Sequence, residues 1–230
     1  MQRIAIPFLL SLALPFAASA ADAPATPTQQ VYTYAVELGA DGRIAALAPH
    51  GPLPGAAGDA LASEIRGWVF NAGDVAGEGA ASTYLRVVVD ESAGGSYQVV
   101  SATTGPALAA MTAPEYPMRD QLAGNQGMVV LRLEVGPDGA VRASDVHAAT
   151  GTVSRAMANA AASASRSWQF SPEQVDGRAV SSTLLWPVCY LGPHSSVAEC
   201  SWTGPDAQRF SSKTVLPLDP NVTVSYAAAR

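Results

Sequence analysis

Apolar and polar positions follow two alternating modes along this chain, and the modes occur in the same order in two places. Residues 31–38 alternate with the period of two expected of a half-buried strand. Ala40-Asp41-Gly42 is a hairpin signal, and 43–47 can return as a second strand. Over 56–68 the period lengthens: Leu61, Ile65 and Trp68 fall at i, i+4 and i+7, one apolar helical face. Residues 83–89 then read as a strong strand, and after a Gly-rich turn 97–100 can form a further hairpin arm.

Further along, Pro117 can open a short helix running to about Ala123, where its missing N–H costs nothing. Residues 128–135 and 141–146 predict a hairpin about Pro137-Asp138-Gly139. A helix is expected over 152–168, capped by Thr152 or Ser154, with Met157, Ala161, Ala164 and Trp168 on one face. Residues 181–190 form the third strand. The region 101–113 reads as the connection between the two runs.

From Trp68 and Trp168 onward the runs align without a gap at an offset of 100: Trp68/Phe70 against Trp168/Phe170, then Ser82-Thr83-Tyr84-Leu85 against Ser182-Thr183-Leu184-Leu185. Self-similarity at a fixed offset implies one supersecondary unit built twice. The order strand–strand–helix–strand lets the third strand lie antiparallel beside the first, with the helix across one face. The fold class predicted is therefore α+β, two tandem units, each a small antiparallel three-stranded sheet with a helix packed on it. Trp68, Phe70, Trp168 and Phe170 are assigned to the core, sealing each helix C-terminus onto its sheet.

The N-terminus changes the compartment. Arg3 supplies a short positive region, 4–16 is apolar, and Ala17-Ala18-Ser19-Ala20 is a small-residue cleavage signal, so residues 1–20 are expected to be a leader cleaved after Ala20. The apolar run is about 13 residues, short of the roughly 20 that span a bilayer. An inner-membrane anchor through 4–20 is the less favoured alternative. Residues 21–30, rich in Pro, Thr and Ala, follow as a flexible tail. The 230-residue chain has 13 Lys and Arg against 19 Asp and Glu, net −6; losing Arg3 leaves 12 against 19. An acidic chain without a basic cluster argues against nucleic acid and anionic membrane surfaces as partners. In an exported protein the two cysteines, Cys189 and Cys200, favour a disulfide, stabilising by roughly 2–3 kcal/mol in the chain-entropy model.

Taken together, Pro114-Glu115-Tyr116-Pro117, Gly127, Pro137-Asp138-Gly139, Thr150-Gly151, Ser167-Trp168-Gln169-Phe170-Ser171-Pro172 and Gly177 make residues 114–190 resemble the TonB C-terminal domain family. The earlier run, at about 31–90, carries only the later elements and resembles a degenerate second copy. The resemblance implies domains at 31–102 and 114–200, joined by 103–113, with a C-terminal tail at 201–230. It implies a periplasmic domain of Gram-negative bacteria that binds envelope proteins, notably an outer-membrane TonB-dependent transporter. Binding would proceed by pairing its last strand with an extended peptide. Carried over, the partner-binding positions are Tyr116, Pro117, Ser182, Thr183, Leu184, Leu185 and Trp186.

Three features depart from a full energy transducer. No anchor is evident, and 21–30 reaches at most roughly 35 Å, too short to cross a periplasm. Pro187 also lies in the pairing strand, where it removes a ladder donor. The expectation is thus a periplasmic protein-binding module, linked through its partner to TonB-dependent transport across the outer membrane. The alternative is a structural or assembly module whose edge strands pair with each other or in a homodimer. The tail segments 213–218 and 222–226 can form short strands able to add to the Cys-stapled edge. No catalytic, cofactor or metal role is expected: His50, His147 and His194 lie in separate segments without ligand spacing, and no hydrolase or phosphate-loop motif occurs.

Overall fold

The computed structural model describes residues 28–51, 56–71, 80–92, 95–195, 200 and 213–226. The leader and residues 21–27 of the predicted tail lie outside them. In the first half, β1 (Thr28–Leu38) and β2 (Ile44–Pro49) form an antiparallel hairpin. Helix α1 (Ala56–Ile65) follows, then the short β3 (Val69–Asn71). Strand β4 (Ala81–Glu91) returns along β1 over its whole length, Thr28 opposite Glu91 and Leu38 opposite Ala81. The resulting order β2–β1–β4, with α1 on one face, is the order that the alternation predicts.

The first sheet is larger than the three strands expected. Strand β5 (Tyr97–Gly105) pairs with β4 from Tyr84 to Glu91, so 101–105, read from sequence as connection, continue a strand. The chain then forms β6 (Ala107–Ala110), the short α2 (Met118–Ala123), β7 (Gly127–Val135), β8 (Val141–Ala149) and α3 (Arg155–Ser165). Next come β9 (Gln169–Ser171), which pairs with β6, and the hairpin β10 (Gln174–Val175) and β11 (Arg178–Ala179). β10 joins the first sheet through Ser82 and Ala81 of β4, giving six strands in all. Gly177 stands between β10 and β11, and the sequence around it carries no sign that this hairpin crosses to the other sheet.

Strand β12 (Ser182–Tyr190) lies antiparallel to β7, from Ser182 opposite Val135 to Tyr190 opposite Gly127. With β13 (Leu216–Pro217) the second sheet has the order β13–β12–β7–β8, and β14 (Thr223–Ser225) pairs with β3. The C-terminal segment thus adds a strand to each half.

Each helix is amphipathic over one sheet face. Leu61 and Ile65 of α1 pack with Tyr34, Val36, Leu38, Leu85 and Val87, closed by Trp68 and Phe70. Met157 and Ala161 of α3 pack with Leu131, Leu133, Leu184 and Tyr190, closed by Trp168 and Phe170. All four aromatics assigned to the core are buried. The helices end earlier than Trp68 and Trp168, at Ile65 and Ser165, so each Trp enters from the turn after its helix. Both hairpin turns need glycine. At Gly42 and Gly139, φ is +72° and +78°, and an added Cβ would meet the carbonyl oxygens of Phe70 and Phe170 at 2.7 and 1.9 Å. The same close approach of turn glycine to post-helical Phe therefore recurs in both halves.

On the opposite face of the second sheet, Met128, Val130, Leu185 and Cys200 form a third cluster. The Cys189–Cys200 disulfide is formed there, as the cysteine count predicts.

Candidate binding edge and the cavity between the sheets

The strand expected to receive a partner, β12, has β7 on its inner side. The Leu218 amide donates to the Thr183 carbonyl at 2.9 Å, so the Thr183 main chain points outward. Main-chain direction alternates along an antiparallel strand, placing Leu185, Pro187 and Cys189 on that outer side too. Leu184 and Leu185 are already paired with Pro217 and Leu216 of β13. Beyond them Pro187 offers no N–H, and Cys189 is tied to Cys200. The outer edge is therefore held at one end by the chain's own segment, donor-poor in the middle and stapled at the other end.

The side chains at this edge look inward. Leu184 and Leu185 are buried, and the Ser182 hydroxyl donates to Glu173 Oε2 at 3.2 Å. Trp186 sits edge-on to Trp168 and Phe170, with ring centres 5.7 and 5.6 Å away. A partner strand would meet main chain here; of Ser182 to Trp186 only Thr183 and Trp186 have partly exposed side chains.

Tyr116 and Pro117 lie elsewhere. Tyr116 packs edge-on against Tyr190, 5.2 Å between ring centres, and its hydroxyl donates to the Asn125 carbonyl. Pro117 is the N-terminal cap residue of α2. The helix is tied down by Asp120, which accepts from Asn125 Nδ2 at 2.8 Å and from the Ser154 hydroxyl at 2.9 Å. Ser154 in turn caps α3, accepting from the Met157 amide at 3.2 Å. Tyr190 and Leu184 are six residues apart on one strand, about 20 Å at normal rise. The sequence-predicted contact residues therefore fall at opposite ends of β12. Beside the Tyr-Pro motif, Met118 and Leu122 of α2 stand one turn apart and are strongly exposed.

Sequence reasoning missed Glu173. It is 1% exposed and accepts from the Thr83 hydroxyl at 2.6 Å, the Ser182 hydroxyl at 3.2 Å and Asn221 Nδ2 at 2.9 Å. These partners come from β4, β12 and the C-terminal segment. Nothing in local composition marks it, because its partners are 90, 9 and 48 positions away.

A cavity enclosing about 560 Å³ lies between the two sheets, bounded by β4, β5, β6, Trp186 and Val215. It opens on the face of the first sheet opposite α1, where Thr33, Arg86 and Thr103 stand side by side in register. Arg86 Nε donates to the Lys213 carbonyl at 3.0 Å, and the guanidinium lies 5.7 Å from the Trp186 ring centre. Burial pulls the Arg86 pKa down to about 10, so the group remains a cation at neutral pH. His50 packs edge-on to Tyr84 at the rim, ring centres 4.7 Å apart. Among the described residues, no three His, Cys, Asp or Glu side chains are grouped to hold a metal. No described helix is long and apolar enough to cross a membrane.

Residues 112–191 match the family model of the Gram-negative bacterial TonB protein C-terminal. Comparisons with curated proteins and with solved structures return no match. The match covers α2, β7, β8, α3, β9 and most of what packs on them, through β12. Domains of this kind are periplasmic, non-enzymatic interaction domains. Over residues 112–191, about a third of its length, this chain is similar to the TonB C-terminal domain.

Proposed function

We propose that this protein is an exported periplasmic binding module in which the TonB C-terminal domain receives an extended partner strand on the outer edge of β12. The first half would be a diverged copy of the same unit, serving as its support. The observation that carries this reading is the pairing of Leu216–Pro217 with Leu184–Leu185: the edge accepts an added strand, here one from its own chain. A ladder of two residue pairs and one further hydrogen bond at Thr183 is a short hold that a longer strand can replace. The exposed Met118 and Leu122 would extend the contact past the strand's far end. The partner class is an outer-membrane TonB-dependent transporter presenting an extended periplasmic segment. Binding uses main-chain hydrogen bonds, and no proton-motive coupling by this chain is required.

A photo-crosslinking residue at Thr183, in the cell that makes the protein, tests this directly. Cross-linking to an outer-membrane transporter is expected. It should increase with Leu218→Pro, which removes the N–H that occupies the Thr183 carbonyl. Absence of a cross-linked transporter in both backgrounds would sink the reading.

One observation favours a second reading, a self-completed structural module. The C-terminal segment adds β13 to one sheet and β14 to β3 in the other half, so the chain supplies its own strands. Under that reading Leu218→Pro lowers stability and leaves cross-linking to transporters absent.

A further inference from the structure

The cavity between the sheets is rich in hydrogen-bond donors. Among the described residues its walls contain one guanidinium, Arg86, and no Asp or Glu. Both ion pairs among the described residues, Arg43–Asp41 and Arg142–Asp138, lie on the exposed surface away from it. Only Nε of Arg86 has a hydrogen-bond partner, the Lys213 carbonyl; its two terminal nitrogens have none among the described residues. Thr33 Oγ1, which flanks Arg86 in register, and the Tyr84 hydroxyl likewise have no partner among them. Thr103 differs, since its hydroxyl donates to the Val215 carbonyl at 3.0 Å.

A desolvated cation without a counter-ion is costly, and the stacking contact with Trp186 offsets only part of that cost. Apart from His50 at the rim and Thr104, whose hydroxyl donates to the Val222 carbonyl, the remaining wall is mainly apolar, with Leu184, Leu108, Pro106, Ala107 and Val215. Small-molecule sites have this make-up, a mostly apolar concavity of about 300–1,000 Å³ with a few polar groups that fix orientation. A planar guanidinium held on an aromatic face leaves its terminal N–H groups free for a planar two-oxygen acceptor.

We propose that this cavity is a binding site for a small apolar monocarboxylate, its carboxylate on the terminal nitrogens of Arg86 beside Thr33 and its body against Trp186 and Leu108. One guanidinium with a few neutral hydroxyls on a mainly apolar wall suits a single negative charge on an apolar body, and suits a doubly charged phosphate poorly. This site is separate from the β12 outer edge and does not depend on strand addition there.

Isothermal titration of the mature full-length chain tests it with four probes: decanoate, 3-phenylpropionate, decanol and decyl phosphate. At least one carboxylate should bind saturably at one site and shift the Trp186 indole N–H resonance. Decanol should bind about tenfold or more weaker, the worth of a charge-assisted hydrogen bond. Arg86→Gln should weaken the carboxylate by a similar factor while leaving decanol unchanged. Ala109→Trp, at an exposed position on the cavity wall, should abolish both and serves if Arg86→Gln does not fold. No carboxylate binding, equal affinity for decanol, tighter binding of decyl phosphate, or unchanged binding in Ala109→Trp would each overturn the assignment.

Discussion

Glu173 links segments that local sequence keeps apart. Its carboxylate gathers donors from β4, β12 and the C-terminal segment, and water does not reach it. Glu173→Ala would leave three donors unpaired in that space, so a loss of about 1–3 kcal/mol is expected in urea unfolding. Glu173→Gln, which keeps one acceptor oxygen, should lose less. Equal midpoints for wild type and Glu173→Ala would show that the donors find other acceptors. Three tyrosines set a second residue-scale expectation. Burial, the leading cause in each case, lifts Tyr34, Tyr97 and Tyr190 to about 12; the Glu64 partner adds to the effect at Tyr97. Above the ordinary value of 10 the unfolded chain loses these protons while the native chain keeps them. Stability from these groups is thus complete below pH 10 and falls as pH rises towards 12. Ultraviolet titration of the phenolates should show a late-ionising class that merges with the early one on unfolding. A single transition near pH 10 in the native protein would contradict this.

At the scale of elements, β4 and β12 occupy equivalent places beside β1 and β7, yet their outer edges are closed differently. β4 gains the long β5 and the short β10, whereas β12 receives only β13. Alternation and turn chemistry made the common part legible: the hairpins, the two helices and the third strand returning to the first follow from periods of two and 3.6. The disulfide was legible from cysteine number and compartment. The crossing of β10 into the first sheet was not, because a two-residue strand carries no period and its register is fixed by distant partners. The same limit hid the cavity. Arg86 and Thr33 sit on strands predicted correctly, but which of their faces would be roofed by Trp186 depends on packing between sheets. Tyr116 shows the converse: its motif was recognisable, while its position at the Tyr190 end of β12 required coordinates.

For the whole molecule, the segment 213–226 acts as a tie across both halves. Val215 and Val222 are buried, Val222 offers its carbonyl to Thr104, and Lys213 Nζ donates to the Gln29 carbonyl at the start of β1. A chain ending at residue 212 should therefore lose hydrogen-exchange protection in β3 and in β12 together, not in β12 alone. Mass spectrometry of peptides covering 69–71 and 182–190 reads both at once. Loss confined to β12 would mean that the first half stands without the tie.

The tie also imposes an order in time. Lys213 and Gln29 are separated by 184 positions, and a chain is made from its N-terminus. At about 5–20 residues per second, roughly ten to forty seconds pass between the synthesis of these two residues. Until residues 213–226 follow, β1 lacks its Lys213 contact, β3 lacks β14 and, once made, β12 lacks β13, so each half presents an unpaired strand that invites wrong pairing. Native pairing of both halves is complete only once residues 213–226 have been made. Any alteration near its C-terminus should be felt first as a loss of yield and only afterwards as a loss of stability.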